Sequence, residues 1–210
     1  MFDRQTTALI RPALNGIARH LADCGISANA LSFAGLAVGW VAAGAIAMQA
    51  FWTGAALILV SRLLDGLDGA VARATAPTDR GGFLDISLDF LFYPAIPLAF
   101  AIADPSANAL AAAVLLAAFV STGTSFLAFA TIAAKRGLTS VDYPDKSFYF
   151  LGGLTEATET LVFFIAMCVW PQHFALLAML FAAMCAVTIS TRIYWGWQAF
   201  RPSDDRGTEL

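Results

Sequence analysis

The feature that most limits how this chain can fold is an uncharged stretch that runs from Cys24 to Ser61. A helix needs about 20 mostly apolar residues to cross the roughly 30 Å hydrocarbon core of a bilayer. The stretch is therefore too long for one span, and the polar and small residues around Gln49–Gly54 divide it in two. The pattern predicts two consecutive membrane-spanning helices.

The rest of the chain repeats this pattern twice. Asp104-Pro105-Ser106 separates apolar segments at about 83–103 and 107–134, and a second break at 170–173 separates segments at about 150–169 and 173–195. Composition agrees: 59% of residues are hydrophobic and 13% charged, against about 45–50% and about 25% in soluble domains. We expect six spans in three hairpins, which excludes a soluble enzyme and a disordered chain.

Charge sidedness supports six spans. None of the 12 lysines and arginines lies in the loops after the first, third and fifth predicted spans, so all of them gather at the opposite ends. By the positive-inside rule, those ends and both termini face the cytoplasm. Trp52 and Trp170 then lie near the opposite interface, as aromatic belts predict. The net charge of −3 also argues against a general nucleic-acid binder.

These patterns predict an all-α polytopic membrane protein in three parts. Residues 1–23 form a cytoplasmic amphipathic helix along the membrane surface, and its apolar face contains Ile10, Leu14, Ile17 and Leu21. Residues 24–200 form the six-helix transmembrane domain, and 201–210 are a polar tail.

Four aspartates lie where two of the predicted spans meet the cytoplasmic interface. Asp65 and Asp68 are three residues apart, and Asp85 and Asp89 are four apart, so each pair shares one face of a helix. The short link at 74–80 makes the two helices antiparallel neighbours, so the two pairs can face each other. Ionisable groups near membrane depth are functional candidates by default, because they are costly to keep there.

Such a cluster needs relief from charge repulsion. Either protonation or bound cations supply it, and carboxylate oxygens suit hard ions such as Mg²⁺ or Mn²⁺. Four carboxylates balance two divalent ions, and a pair of ions can clamp a phosphoryl group during displacement. Gly69 and Gly81 allow a ligand close to the backbone, and Arg73 can pair with phosphate oxygens. The alternative is that these acids are solvated interface residues.

The same residues carry a resemblance to a known family. The sequence resembles the signature of the CDP-alcohol phosphotransferases at Asp65-x-x-Asp68-Gly69-x-x-Ala72-Arg73 and Gly81-x-x-x-Asp85-x-x-x-Asp89. Upstream, Ile26–Ser32 is similar to the family's Thr-Pro-Asn-x-x-Thr entry to the first span, with Ser and Ala in place of Thr and Pro. The resemblance implies an N-terminal surface helix, six spans, cytoplasmic termini and a homodimer in the bilayer.

The resemblance also implies a reaction. An acceptor hydroxyl attacks the phosphorus that bears the lipid alcohol of CDP-diacylglycerol, and CMP leaves. Two divalent cations, Mg²⁺ or Mn²⁺, are implied on the four aspartates, with Asp89 shared between metal binding and base catalysis. Contacts to the CDP donor are implied for five residues: Asn29, Gly69, Ala72, Arg73 and Gly81. For Asn29, the alternative is a helix N-cap.

The acceptor alcohol is the least constrained part of this prediction. A phosphate-bearing acceptor needs basic residues facing the site, and the candidates are Lys135, Arg136, Lys146 and Arg192. Lys135 and Arg136 end the fourth predicted span, where basic residues more often mark the membrane interface. Arg192 is equally typical of an arginine that snorkels to that interface.

Two acids one turn apart, Glu156 and Glu159, stand among three threonines at the start of the fifth span. They suit a polyol or an amine-bearing acceptor; the alternative is an acidic helix N-terminus capped by Thr155. We expect phosphatidyl transfer to a small alcohol, with glycerol phosphate and an inositol-type polyol both open. The same chemistry with another acceptor or another CDP-alcohol donor is the alternative.

Two other classes of membrane protein remain open. A cation transporter also places acids in a membrane, but near the bilayer midplane and often in two related halves. Here the acids cluster at one face, and no half-repeat is visible. A non-catalytic scaffold would have no reason to keep four carboxylates together. Metal-dependent release of CMP separates both from the enzyme.

Overall fold

The computed structural model describes residues 3–137 and 154–201, and this part of the chain forms helices and no strands. The all-α class predicted from the sequence is confirmed for it. A 3₁₀ turn at Pro171–His173 precedes the last helix. The described ranges contain seven α-helices: α1 (Asp3–Asp23), α2 (Ala28–Ala47), α3 (Phe51–Ala74), α4 (Asp79–Ala103), α5 (Pro105–Lys135), α6 (Ala157–Val169) and α7 (Phe174–Ala199).

Side-chain caps fix where three of these helices begin. The hydroxyls of Ser27 and Thr78 accept hydrogen bonds from backbone N–H groups in the first turns of α2 and α4. Asp104 caps α5 in the same way, and Pro105 follows at the first helical position. Hydrogen bonds from the Ser106 hydroxyl and the backbone hold the pKa of Asp104 below its ordinary value. The Thr78 cap starts α4 at 79, four residues earlier than predicted.

Four helices of the described ranges are long and apolar enough to cross a membrane: α2, α4, α5, and α7 together with the turn before it. Helix α6 is apolar but has 13 residues. Helix α3 has 24 residues and carries Arg62, Asp65, Asp68 and Arg73. Each of the six predicted spans therefore corresponds to a helix, and spanning by α3 and α6 stays a prediction.

Helices α2, α3 and α4 pack closely because small residues line their contacts. Ser61 on α3 donates a hydrogen bond to the backbone oxygen of Gly35 on α2 at 2.7 Å. A Cβ at Gly39 would lie 2.5 Å from the ring of Phe92 on α4. Aromatic side chains fill the centre between α4, α5, α6 and α7, and the largest of them are fully buried: Phe92, Phe100, Phe164, Phe174 and Phe181. This packing holds both α3 and α4 against α2.

The predicted N-terminal helix is present as α1, which packs against α3. Its buried face differs from the predicted one: Leu14, Ala18 and Leu21 pack there, whereas Ile17 is 49% exposed. Ala18 is fully buried, because its small side chain lets the two helices approach. The side chain of Ile10 lies outside the described residues. Of the predicted polar tail at 201–210, the structure describes only Arg201.

Candidate active site

Three of the four predicted carboxylates meet where the end of α3 faces the start of α4. Asp65, Asp68 and Asp85 each offer a carboxylate oxygen, and these three oxygens lie within 4.8 Å of one another. Asp68 is buried, with 3% of its surface exposed, whereas Asp85 is exposed at the protein surface. Ser32 on α2 donates a hydrogen bond to Asp68 Oδ2. An all-oxygen, anionic donor set of this kind fits a hard divalent cation such as Mg²⁺ or Mn²⁺.

The fourth carboxylate, Asp89, lies beside an arginine instead of within that group. Arg62 Nη1 donates a hydrogen bond to Asp89 Oδ1 at 2.8 Å and lies 3.4 Å from Asp65 Oδ1. The guanidinium also covers the ring of Phe92, with Cζ 3.8 Å from its centroid. The structure therefore separates the four aspartates into a group of three and an ion pair, linked through Arg62.

Sequence reasoning did not single out Arg62 or the contact between Ser32 and Asp68. A signal for Arg62 was available, because it precedes Asp65 by three residues and thus lies on the same helical face. Its pairing with Asp89 depends on how α3 and α4 pack. Ser32 reaches Asp68 from a third helix, which spacing along the chain does not reveal.

A cavity of about 620 Å³ opens beside the three carboxylates. It is bounded by the start of α2, the end of α3 and the start of α4. The structure places all five residues predicted to contact the donor in its lining, together with Asp68 and Asp85: Asn29, Gly69, Ala72, Arg73 and Gly81. The cavity is in the size range of small-ligand sites, about 300–1,000 Å³.

Two glycines, Gly69 and Gly81, leave the helix backbone open to this cavity, and the first of them lies beside an arginine. A Cβ at Gly69 would lie 3.2 Å from Arg73 Nη1, so the guanidinium lies over the glycine. A Cβ at Gly81 would lie 3.6 Å from Asn29 Oδ1, so the Asn29 amide reaches the start of α4. Ser27, and not Asn29, caps α2. The exposed N–H groups of a helix start favour anions such as phosphate.

A second cavity, of about 440 Å³, has Asp89 in its lining. Aromatic and aliphatic side chains of α4, α5 and α7 form most of its wall. Its polar lining includes Asp89, three threonines, Glu156 and Arg192. Glu159, the other predicted acceptor contact on α6, is not among the residues that line it. We refer to this space as the acceptor-side cavity.

Arg192 is directed into the protein. Its side chain is 9% exposed, which differs from the snorkelling alternative, and Nη1 donates a hydrogen bond to the backbone oxygen of Thr122 on α5 at 3.1 Å. Arg136 instead donates hydrogen bonds to the backbone oxygens of Phe200 and Arg201 at the end of α7. Lys135 is not among the residues lining either cavity. Lys146 lies outside the described residues.

The start of α6 differs from the alternative in which Thr155 caps an acidic helix N-terminus. Glu156, and not Thr155, is the N-cap residue, and its side chain makes no capping hydrogen bond. Thr155 donates a hydrogen bond to the hydroxyl of Thr188 on α7 at 3.0 Å. Glu156 lines the acceptor-side cavity.

A solved structure has the same fold. The chain superposes on the crystal structure of Mycobacterium tuberculosis phosphatidylinositol phosphate synthase with CDP-DAG bound, with a TM-score of 0.72 and 21% identity, covering 90% of this chain and 98% of that one. A second structure of that protein, in complex with manganese and citrate, gives the same TM-score and identity.

Sequence comparisons identify the family. The chain is 48% identical over 197 residues to the inner membrane protein YnjF of Escherichia coli K12, covering 94% of this chain and 96% of that protein. It is 40% identical over 88 residues to archaetidylinositol phosphate synthase of Methanothermobacter thermautotrophicus, and this match covers 41% of this chain and 44% of that protein. The family model for CDP-alcohol phosphatidyltransferase matches residues 26–191. The chain therefore belongs to the CDP-alcohol phosphatidyltransferase family.

Proposed function

We propose that this protein is an integral membrane enzyme that transfers a phosphatidyl group from CDP-diacylglycerol to the hydroxyl of a small alcohol and releases CMP. One observation carries the proposal: Asp65, Asp68 and Asp85 bring their carboxylates together, and two of them, Asp68 and Asp85, line a cavity of about 620 Å³. A phosphate-transfer site needs a cation held next to the phosphates, and this arrangement provides the ligands for one.

The carboxylates of Asp65, Asp68 and Asp85 would hold a divalent cation, Mg²⁺ or Mn²⁺. Asp89 would help to bind a second ion. The negative charge of the four carboxylates balances the positive charge of two divalent ions. Such ions, when bound, neutralise the negative charge that grows on the leaving CMP. The hydrogen bond from Ser32 orients one oxygen of Asp68, which keeps its carboxylate plane fixed.

The residues of the first cavity would hold the CDP part of the donor. Arg73 would pair with phosphate oxygens, and the positive end of the α4 helix dipole near Gly81 would favour their negative charge. Gly69 and Ala72 would allow the nucleotide to lie flat against α3, because larger side chains there would enter the cavity. Asn29 would donate a hydrogen bond from its amide at the opposite wall.

Asp89 would act as the general base. It lines the acceptor-side cavity, one helical turn from Asp85, which lines the first cavity where the donor phosphates are expected. The acceptor hydroxyl would lose its proton to the Asp89 carboxylate as its oxygen bonds to the lipid-bearing phosphorus. The bond from that phosphorus to the CMP oxygen breaks in the same displacement, and CMP carries away the electron pair.

The membrane arrangement follows from the same proposal. Helices α2 to α7 would form six spans, and α1 would lie along the cytoplasmic surface, where its arginines meet anionic lipid. The active site and both termini would face the cytoplasm, and the protein would form a homodimer in the inner membrane. The distribution of lysines and arginines and the name of the Escherichia coli relative support this placement.

The direct test is an assay of the purified protein. Labelled CDP-diacylglycerol, Mg²⁺ or Mn²⁺ and a panel of small alcohols are incubated with the enzyme in detergent, and CMP and the lipid product are measured. We expect release of CMP that needs both a metal and an acceptor and that stops on chelation. Absence of CMP release with every acceptor and both metals would contradict the proposal and favour a transporter or scaffold.

A matched pair of variants tests the metal ligands. Asp85→Asn should raise the metal concentration needed for half-maximal rate, because it removes one anionic ligand. Asp79→Asn removes the same charge from the same helix at a position that lines neither cavity, and should leave that concentration unchanged. Equal effects of the two substitutions would argue against a metal role for Asp85.

A further inference from the structure

Arg62 lies where the group of three carboxylates meets Asp89. Its Nη1 atom donates a hydrogen bond to Asp89 Oδ1 at 2.8 Å and lies 3.4 Å from Asp65 Oδ1. The arginine side chain is 13% exposed, so this ion pair is largely shielded from water. A positive charge that belongs to the chain itself therefore lies against the carboxylates that are proposed to bind metal ions.

Several contacts hold the guanidinium of Arg62 in this position. Its Cζ atom lies 3.8 Å from the centroid of the Phe92 ring and 5.6 Å from that of Tyr93, within the range of cation–π attraction. Its Nη2 atom donates a hydrogen bond to the hydroxyl of Ser61 at 3.4 Å. Side chains of α3 and α4 thus keep the charge beside Asp89.

The charge of Arg62 bears unequally on the two proposed ions. The guanidinium approaches the group of three at Asp65, whereas it makes a charge-assisted hydrogen bond to Asp89. A divalent ion at Asp89 has to share that carboxylate with the guanidinium, and two like charges a few ångströms apart repel each other. The electrostatic cost therefore falls mainly on the ion at Asp89.

We propose that Arg62 competes with the second divalent ion for Asp89, so that the two ions bind with unequal affinity. The tighter ion would bind to Asp65, Asp68 and Asp85, and the weaker one would use Asp89. This inference rests on the proposed function, because it concerns the ions of that reaction. Arg62 then sets the metal concentration at which the second ion binds.

The alternative is that Arg62 has a structural role alone, as an ion pair that joins α3 to α4. In that case, removal of its charge would lower the stability of the fold and leave the affinity of the folded protein for metal ions unchanged. Metal binding therefore distinguishes the two roles, and its measurement requires neither substrate nor turnover.

The test is an equilibrium titration of the purified protein with Mn²⁺. The wild-type protein in detergent is kept in an alkaline, oxygen-free buffer, where protons compete least with the ions for the carboxylates. Free Mn²⁺ is measured by electron paramagnetic resonance. We expect two ions per chain, the second with a Kd at least about ten-fold above that of the first. Two ions of equal affinity would overturn the inference.

Variants isolate the contribution of Arg62, because a second ion also meets less negative charge once the first has bound. Arg62→Gln should lower the Kd of the second ion at least about ten-fold and change that of the first less. Arg80→Gln removes the same charge from an exposed position at the start of α4 that lines neither cavity, and should keep both wild-type values. An unchanged second Kd in Arg62→Gln would overturn the inference.

A further variant identifies the carboxylate that the second ion uses. Asp89→Asn should lose the weaker site and keep the tighter one, and retention of both sites would overturn the inference. This measurement leaves Arg62 in place, so the inference stays testable if Arg62→Gln does not fold. Thermal unfolding in detergent checks the fold of each variant.

The outcomes also separate this inference from the proposed function. If the wild-type protein binds no Mn²⁺ and releases no CMP, both fail. If CMP release depends on the metal but the two ions bind equally, or Arg62→Gln binds them as the wild type does, the reaction stands and the role assigned to Arg62 fails.

Discussion

Arg62 and Asp89 form an ion pair between α3 and α4, with Nη1 2.8 Å from Oδ1. The side chain of Arg62 is 13% exposed, and its guanidinium covers the ring of Phe92 at 3.8 Å. Asp65 lies on the other side of the same nitrogen at 3.4 Å. The arginine thus fixes the position of the proposed base relative to the proposed metal ligands, and we regard it as a positioning residue.

Replacing Arg62 should therefore lower turnover more than substrate binding. We expect Arg62→Gln to reduce kcat at least about ten-fold, equivalent to about 1.4 kcal/mol, with a smaller change in the KM for CDP-diacylglycerol. Arg62→Lys keeps the charge and should recover part of kcat. Steady-state kinetics with both substrates measure the split. A lysine variant as slow as the glutamine variant would show that charge is not what Arg62 contributes.

Asp89→Asn should abolish turnover while largely keeping the fold, because it removes the proton acceptor and keeps the shape of the side chain. General bases contribute about 10²–10⁴ to rates, so the expected loss is at least about 100-fold. Release of CMP measures the loss, and thermal unfolding in detergent measures the fold. A variant with near-normal turnover would remove Asp89 from the mechanism.

Arg73→Ala should impair use of the donor more than use of the acceptor. The guanidinium lines the first cavity and lies over Gly69, where the donor phosphates are expected. We expect the KM for CDP-diacylglycerol to rise at least about ten-fold, with the acceptor KM changed less. The opposite kinetic pattern would place Arg73 on the acceptor side.

Two glycines of α2 test the packing of this helix against α4. A methyl group at Gly39 would overlap the Phe92 ring, so Gly39→Ala should lower the free energy of unfolding by about 1–3 kcal/mol. Gly44 has no heavy atom near enough to meet a Cβ. Gly44→Ala should therefore be neutral, or stabilising by up to about 1 kcal/mol, from helix propensity. Equal melting temperatures for the two variants would contradict this packing.

Much of the fold could be predicted from local patterns. The polar breaks at 104–106 and 170–173 end apolar helices because Pro and an Asp cap interrupt the hydrogen-bond ladder there. The face of α1 was predicted less well. Apolar periodicity predicts that the most hydrophobic stripe of α1 is buried. In the structure, Ala18 is buried against α3 because of its small volume, and Ile17 is exposed.

The residues of the site were likewise predictable in part from the sequence and in part only from the packed structure. Helical periodicity and the short link predicted that all four aspartates converge, and the structure brings three of them together: Asp65, Asp68 and Asp85. The ion pair of Asp89 with Arg62, and the cavity that Glu156 and Arg192 both line, are seen only in the packed fold. These pairs join helices that are distant in the chain, and their distances are set by how the intervening helices pack, which residue spacing does not encode.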